Sequence, residues 1–262
     1  VSGIGKIFHV FLATPPWVGI LLGAGIVILY ATIGGMKSVV ATDVMQFAVL
    51  VVGIPLVLIF GIWQAGGPAA ILQEAPAGHL SLFSNSSLVA FASLFLTFLL
   101  GETLVPPYVL RLFVGKNVKA IAKGTLWSGI LSIPFFAIVG GIGLVAAVLM
   151  PELEDATLAL PAMVREVLPI GLRGIVVAGI IAVVMSSADS FLNAASIALV
   201  NDIVQPFSRE SLGERTSLFI ARAATLIAGI LAVVFAIQIQ SVLDILIYAY
   251  NFWAPIILVP LV

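Results

Sequence analysis

The sequence predicts an all-α transmembrane protein. Of its 262 residues, 62% are hydrophobic and only 9% are charged, whereas an ordinary soluble domain carries about 25% charged residues. Several apolar stretches reach the ~20 residues that a helix needs to cross a bilayer, and the ~10-residue alternating segments of a β-barrel are absent. The expected surroundings are therefore a lipid bilayer. A net charge of -1, without a Lys/Arg-rich cluster, gives no reason to expect nucleic acid as a partner.

Seven apolar windows predict about seven spanning helices. They cover residues 13–35, 43–65, 88–114, 125–150, 173–200, 216–238 and 242–262. Lys and Arg are in excess in cytoplasmic loops, so their positions orient the helices. With the first connection inside, eight of the 11 basic residues lie inside: Lys37, Arg111, Lys116, Lys119, Lys123, Arg209, Arg215 and Arg222. The C-terminal end is then cytoplasmic, and residues 1–262 form a single polytopic membrane domain.

Two longer connections are predicted on the outer side. Residues 151–173 place three acids before a set of apolar positions, which predicts a short amphipathic helix that begins near Pro151 and caps the outer surface. Residues 65–87 predict a looser loop. Because the number of helices is odd and the first residue is Val1, we expect further sequence at both ends.

One apolar helix carries a polar stripe within residues 184–196, VMSSADSFLNAAS. Its polar residues recur every three or four positions and share one helix face: Ser186, Asp189 or Ser190, Asn193 and Ser196. An ionisable residue in hydrocarbon costs at least ~2.5 kcal/mol, so it usually faces a protein interior or an ion path. Sodium favours hydroxyl and carboxylate oxygens, and the stripe therefore predicts an ion site. The alternative is hydrogen bonding between helices, with Asp189 neutral or paired.

A second polar segment lies at residues 30–46. The pair Gly34 and Gly35 predicts the end of one helix. Asp43 predicts the start of the next, where a carboxylate matches the helix dipole. Capping is the simplest interpretation of Asp43.

A third segment, residues 98–124, contains a proline pair. Pro106 and Pro107 lack amide protons, so the helix must break or kink there. Secondary transporters use broken helices at membrane depth to expose backbone groups to a substrate. Glu102 lies at this break. The alternative is a structural kink in which Glu102 pairs with a neighbour.

Together the three segments resemble the sodium:solute symporter family, which includes sodium/glucose, sodium/proline and sodium/choline transporters. The resemblance rests on three sets of residues, in order along the chain: Tyr30, Gly34, Gly35, Thr42, Asp43 and Gln46; Pro107 and Arg111 with the Lys-rich loop that follows; and Met185, Ser186 and Ser187. It implies a LeuT-type inverted-repeat transporter core, in which the seven helices match core helices four to ten. The core is then incomplete, because its first three helices are missing.

The resemblance implies that the polar stripe belongs to the main sodium site. Ser186 and Ser187 match positions that line this site, and Ser187 is the better match for a hydroxyl ligand. The backbone carbonyl of Val183 would be a further ligand. Sodium would act as the coupling ion rather than as a cofactor.

The resemblance also implies a second ion site or an ion exit path. Asp43 matches a position on the cytoplasmic route of the ion, and in some members it forms a second sodium site with the positions of Ser186, Asp189 and Ser190. Those members have serine where this chain has Asp189. Three alternatives stay open: the carboxylate strengthens the second site, holds a proton, or replaces the site.

Substrate contacts are expected on two helices. Phe98, Gly101 and Glu102 resemble positions that carry sugar contacts in the glucose transporters, but Ile247 stands where a sugar-binding glutamine is expected, which disfavours a sugar. Two more candidates lie on the last helix, Tyr248 and Asn251. A buried Glu102 near aromatic rings suits an amine, an amino acid or a quaternary ammonium. The alternatives are a neutral polar solute or a structural partner for Glu102, and ordinary packing for Phe98.

The sequence therefore predicts a secondary transporter that couples sodium influx to uptake of a small polar organic solute by alternating access. We expect it in a plasma membrane, the bacterial inner membrane. One alternative is a sensory module, as in relatives that fuse this bundle to a kinase. Another is a proton-coupled symporter in which Asp189 and Glu102 titrate. An enzyme is disfavoured, because no nucleophile, base and orienting residue form a recognisable motif.

Overall fold

The structure, a computed structural model, describes residues 2–80, 87–103, 105–113, 115–208 and 213–239, together with 245–246, 248–249, 251–252 and 256. The regular secondary structure of this part of the chain is helical, without a strand. The principal α-helices are α1 (Ser2–Leu12), α2 (Pro16–Gln64), α3 (Pro68–Glu74), α4 (Leu88–Thr103), α5 (Pro106–Phe113), α6 (Val118–Leu149), α7 (Ala159–Val167), α8 (Ile170–Ala198), α9 (Gln205–Phe207) and α10 (Glu214–Gln238). A 3-10 turn at Ala156–Leu158 precedes α7, and a π-helical segment at Leu199–Val204 joins α8 to α9.

The described residues contain five spans that are long and apolar enough to cross a membrane. They are Pro16–Ile33, Thr42–Gln64, Val118–Leu149, Ile170–Phe207 and Glu214–Gln238. These spans match five of the seven predicted windows. The window 88–114 is divided between α4 and α5, and most of 242–262 lies outside the described residues. The predicted all-helical membrane class is confirmed.

The prediction that Gly34 and Gly35 end a helix is wrong. Helix α2 continues through both glycines and contains Asp43 well inside its length. A glycine inside a helix costs only about 1 kcal/mol relative to alanine, so two glycines do not by themselves end a helix. Asp43 therefore does not cap a helix, and its carboxylate is available for contacts with side chains.

The predicted break at the proline pair is confirmed. Helix α4 ends at Thr103 and α5 begins at Pro106, where the missing amide proton costs nothing because the first turn of a helix has no partner for it. The next helix begins earlier than predicted. Asn117 caps α6 by accepting a hydrogen bond from the amide of Ala120 at 2.8 Å.

This early start changes the predicted Lys-rich loop. Lys119 and Lys123 lie on the first turns of α6 rather than in a loop. An asparagine side chain at the N-cap satisfies an amide group that would otherwise lack a partner, so the helix can begin among polar residues. The predicted apolar window, which starts at residue 125, therefore begins later than the helix itself.

The two longer connections, 65–87 and 151–173, contain more helix than the sequence predicts. The helix expected to begin near Pro151 begins instead at Ala156, because the carboxylate of Asp155 accepts a hydrogen bond from the amide of Thr157 at 2.9 Å and so caps the 3-10 turn. The loop predicted at 65–87 contains α3, and α1 was not predicted. Gly67 precedes α3 with φ 100°, a left-handed conformation that favours glycine.

The chain contains two compact units, which we describe separately. Unit one consists of Val1–Ala48 and Ala178–Ile245. Unit two consists of Val49–Val177 and Leu246–Val262.

In unit one, glycines permit close packing of helices on α2. Ile4 of α1 is fully buried, and a Cβ atom at Gly23 would lie 2.5 Å from its Cγ2 atom. Helix α10 approaches in the same way, since a Cβ atom at Gly229 would lie 2.5 Å from Cγ1 of Ile28. Small residues at such crossings are typical of membrane helix packing.

In unit two, α7 is anchored by its apolar face. Met163 and Val164 are both fully buried. A Cβ atom at Gly61 would lie 2.7 Å from the terminal methyl group of Met163 and 3.0 Å from Val145 of α6. The amphipathic pattern therefore predicted the buried face of α7 correctly, although not its first residue.

The α1–α2 packing predicts opposite effects for two nearby glycines. Gly23→Ala should lower the free energy of unfolding of the detergent-solubilised protein by about 1–3 kcal/mol, and with it the melting temperature, because the new methyl group overlaps Ile4. Gly25→Ala is the matched control, since its Cβ would meet nothing within 4 Å, and alanine favours helix by up to about 1 kcal/mol. Equal melting temperatures for the two variants would contradict this packing.

Candidate ion site

The polar turn of α8 comprises Ser186, Ser187, Asp189 and Ser190, and it lies within the apolar span Ile170–Phe207. Serine and aspartate compete with the helix backbone for hydrogen bonds and usually favour caps over helix interiors. Here the helix persists because unpaired peptide groups are costly in hydrocarbon. Asp189 is 0% exposed and Ser190 is buried, whereas Ser187 is exposed. The α8 polar turn thus presents oxygens both to the protein interior and to an accessible face.

Two predicted sodium ligands are in contact on this helix. The hydroxyl group of Ser187 donates a hydrogen bond to the backbone carbonyl of Val183 at 3.2 Å. Residues four apart lie one above the other on a helix, so the two oxygens occupy the same patch of the α8 surface. Ser196 likewise donates to the carbonyl of Asn193 at 2.9 Å, and both bonds are the ordinary way for a serine to satisfy its hydroxyl within a helix.

The buried carboxylate of Asp189 is held by hydroxyl groups. Tyr30 of α2 donates a hydrogen bond to its Oδ2 atom at 2.6 Å, and Ser190 donates to its Oδ1 atom at 3.3 Å. The Tyr30 hydroxyl also lies 3.3 Å from the backbone carbonyl of Met185, one turn earlier on α8. This side chain therefore joins α2 to α8 at the polar turn.

The second carboxylate, Asp43, reaches the same turn. The hydroxyl group of Ser186 donates a hydrogen bond to Oδ1 of Asp43. Asp43 and Tyr30 are both on α2, and both contact α8 within unit one. The structure thus brings together the predicted second-site residues in two contacts, Asp43 with Ser186 and Asp189 with Ser190.

The chemistry of this arrangement suits a hard cation. Two carboxylates, several hydroxyl groups and a backbone carbonyl supply oxygen ligands, and none of them is a soft donor. Among the residues that the structure describes, no group of three or more His, Cys, Asp or Glu side chains could hold a metal ion.

Tyr30 and Gln46 belong to the first motif, but sequence reasoning assigned them no role. Tyr30 contacts Asp189 although the two are 159 positions apart. Gln46 follows Asp43 by one helical turn, and its buried Oε1 atom has no hydrogen-bond partner within the described part of the chain. Their place in a family-like motif was the available signal, but no local spacing relates either residue to α8.

The predicted substrate residues are less completely described. Phe98 lies on α4 and is 49% exposed. Gly101 and Glu102 are within α4, but the surroundings of these two residues are not described. Ile247 lies outside the described residues altogether. Two others are helical and exposed, Tyr248 and Asn251. The substrate assignment therefore stays a prediction.

The family model of the sodium:solute symporter family matches residues 1–262. The chain is 26% identical over 262 residues to the osmoregulated proline transporter OpuE of Bacillus subtilis, covering 95% of this chain and 52% of that protein. It is 25% identical over 265 residues to the sodium/glucose cotransporter of Vibrio parahaemolyticus, with coverages of 88% and 49%. It is 28% identical over 244 residues to the sodium/sialic acid symporter NanT of Aliivibrio fischeri, with coverages of 86% and 48%. The chain spans about half the length of these curated relatives.

A solved structure described as the substrate-bound outward-open state of a Na+-coupled sialic acid symporter, with a novel Na+-site, has a similar fold. The TM-score is 0.74 at 24% sequence identity, over 91% of this chain and 54% of that chain. This likeness confirms the predicted LeuT-type transporter fold class. Together with the five apolar spans, the family match makes the chain an integral membrane protein.

The contact between α2 and α8 predicts a graded effect of substitutions at Asp43. In sodium-free potassium buffer, Asp43→Ala should reduce the free energy of unfolding by about 1–3 kcal/mol, because Ser186 loses a charged acceptor. Asp43→Asn keeps an acceptor oxygen and should be less destabilising.

Thermal unfolding of the detergent-solubilised full-length variants measures this effect. Asp202→Ala is the control, because Asp202 is an exposed carboxylate on the π-helical segment, and its melting temperature should match that of the parent protein. If Asp43→Ala melts like Asp202→Ala, the Ser186 contact contributes nothing.

Proposed function

The chain belongs to the sodium:solute symporter family, and from this premise we propose that the whole protein couples sodium influx to uptake of a small polar organic solute by alternating access. The observation that carries the proposal is the α8 polar turn, where Val183 and Ser187 place two oxygens 3.2 Å apart. Ser186 completes the proposed set of ligands on α8. These are the oxygen ligands that a sodium ion requires.

Binding of sodium at this turn requires a small change in the serine hydroxyl. Without the ion, the hydrogen of Ser187 points to the carbonyl oxygen of Val183. With the ion, this hydrogen turns away, and both oxygens direct lone pairs at the cation. The lost hydrogen bond costs only about 0.5–1.5 kcal/mol net, so the helix is already close to its binding geometry.

Coupling follows if sodium and solute favour the same state of the transporter. An ion shifts a conformational equilibrium only by the difference in its affinity for the two states. By linkage, an ion that raises the affinity for the solute is itself bound more tightly when the solute is present. Uptake then proceeds when the site opens to the cytoplasm, where the sodium concentration is low, and both ligands leave.

We further propose that Asp43, Asp189 and Ser190, together with Ser186, hold a second cation position on the exit path. Two carboxylates there attract a cation that has left the main site, and the hydroxyl groups complete its shell. The unpaired Oε1 atom of Gln46 offers one more oxygen a turn further along α2. The path would lead to the cytoplasmic side.

For the solute we propose an amine, amino acid or quaternary ammonium. Six positions would contact it: Phe98, Gly101, Glu102, Ile247, Tyr248 and Asn251. A carboxylate and aromatic rings favour a positively charged group by charge pairing and cation–π contact, and the proline transporter among the relatives fits an amino acid. We place the protein in a bacterial inner membrane with the C-terminal end of this chain in the cytoplasm, following the distribution of Lys and Arg.

Uptake into proteoliposomes tests the proposal. The full-length protein is reconstituted and supplied separately with radiolabelled proline, choline, glucose and sialic acid. We expect accumulation of proline or choline under an inward sodium gradient, and none when potassium replaces sodium on both sides. Uptake that is driven by a pH gradient and is indifferent to sodium would instead select a proton-coupled symporter.

The role of Ser187 is tested with a matched pair of serines on α8. Ser187→Ala removes one proposed ligand and should raise the half-saturating sodium concentration for uptake about tenfold, which corresponds to ~1.4 kcal/mol. Ser196→Ala removes a hydroxyl group that bonds only its own helix in the structure, and it should leave the sodium dependence unchanged. Identical sodium curves for the two variants would remove Ser187 from the site.

A further inference from the structure

We infer that Tyr30 is a positioning residue of the cation site, which acts by orienting the carboxylate of Asp189. The inference rests on the proposed function and deepens it. Tyr30 is not among the proposed ligands. Its hydroxyl group instead determines how the carboxylate faces the α8 polar turn.

The buried carboxylate of Asp189 requires hydrogen-bond donors. Asp189 is 0% exposed and lies in an apolar span, where an ionised carboxylate needs hydrogen bonds or a cation. Tyr30 donates to it at 2.6 Å, within the short range of charge-assisted O–H···O bonds. Ser190 donates at 3.3 Å, which is a weak contact. Of these two donors, Tyr30 is the stronger.

The position of the Tyr30 hydroxyl group orients the carboxylate of Asp189. It lies 2.6 Å from Asp189 Oδ2 and 3.3 Å from the carbonyl oxygen of Met185. A phenol has one hydrogen, and the shorter contact to the charged oxygen takes it. Met185 and Asp189 bracket one turn of α8, so the hydroxyl group sits over the turn that contains Ser186. The carboxylate therefore has one oxygen fixed against α2 and the other on the side of Ser190.

The orientation of the Asp189 carboxylate affects how tightly a cation binds. With Tyr30 in place, Oδ2 of Asp189 is held against α2, and Oδ1 stays on the side of Ser190. Without it, the carboxylate loses the stronger of these two donors and can rotate, so its oxygens no longer keep the orientation in which they face the ion. The free energy of a hydrogen bond to a charged group corresponds to about a tenfold change in affinity. Loss of the Tyr30 hydroxyl group should therefore weaken cation binding about tenfold.

The test measures binding of radioactive 22Na+ to the purified full-length protein in potassium buffer without any solute. Tyr30→Phe should raise the half-saturating sodium concentration about tenfold. In an Asp189→Asn background, the same substitution should change it less than about twofold, because no charged carboxylate is left to orient. Thr32→Val is the matched control, since the Thr32 hydroxyl bonds the carbonyl of Ile28 on its own helix at 2.6 Å, and it should leave binding unchanged.

A further variant keeps the test decisive if Tyr30→Phe does not fold. Incorporating 4-aminophenylalanine at position 30 retains a donor at the same reach and should restore sodium binding to within about threefold of the parent. The inference is overturned if Tyr30→Phe weakens binding equally in both backgrounds, because the ring would then act only by packing. It is also overturned if Tyr30→Phe binds sodium normally. If the parent protein itself binds no sodium, the proposed function fails. If the parent binds sodium and only the Tyr30 variants behave differently from expectation, the inference alone fails.

Discussion

A carboxylate buried in an apolar helix must be matched by donors or by a cation, and the rest of this site depends on how Asp189 meets that requirement. The side chain is completely buried, and hydroxyl groups from α2 and α8 supply donors at its two oxygens. Neutral donors reduce the cost of the charge without cancelling it. A cation interacts more strongly in such surroundings than it would in water, so the residue that makes this helix costly to bury also makes it attractive to an ion.

Helix α2 supplies two different groups to the α8 polar turn. Tyr30 contacts Asp189 and Asp43 contacts Ser186, so the occupancy of the turn and the position of α2 are physically connected. An ion at the proposed site would interact with groups from both helices. Alternating access needs such a connection, because binding must favour one arrangement of the helices over another. The proposed activity rests on the family match, and the contacts of this chain indicate α2 and α8 as the helix pair that would respond to the ion.

The sequence predicts the apolar spans well, and it predicts local irregularities unevenly. The spans Val118–Leu149 and Glu214–Gln238 follow from hydropathy alone, and the break before Pro106 follows from the missing amide protons. The continuity of α2 through Gly34 and Gly35 was not predictable from propensity, because glycine is common at helix ends but costs only about 1 kcal/mol inside a helix. The 3-10 turn that leads into α7 starts later than predicted because of one capping contact, that of Asp155 with the amide of Thr157.

The ion site shows the same division. The helical period placed Ser186, Asp189 and Ser190 on one turn, but the partners of that turn come from a helix more than 140 positions earlier in the chain. No spacing rule relates Tyr30 to Asp189 or Asp43 to Ser186, because tertiary packing creates both contacts. For the same reason the sequence could propose ligands for a cation but could not identify the residue that orients one of them.

The most direct measurement of the central claim is a high-resolution structure of the full-length protein in sodium. We expect an ion at the α8 polar turn, within about 2.3–2.6 Å of Ser187 Oγ and the Val183 carbonyl oxygen, the range for oxygen-bound hard cations. The hydroxyl group of Ser187 would no longer donate to that carbonyl. A sodium ion bound elsewhere, with the Ser187 to Val183 hydrogen bond intact, would contradict the account.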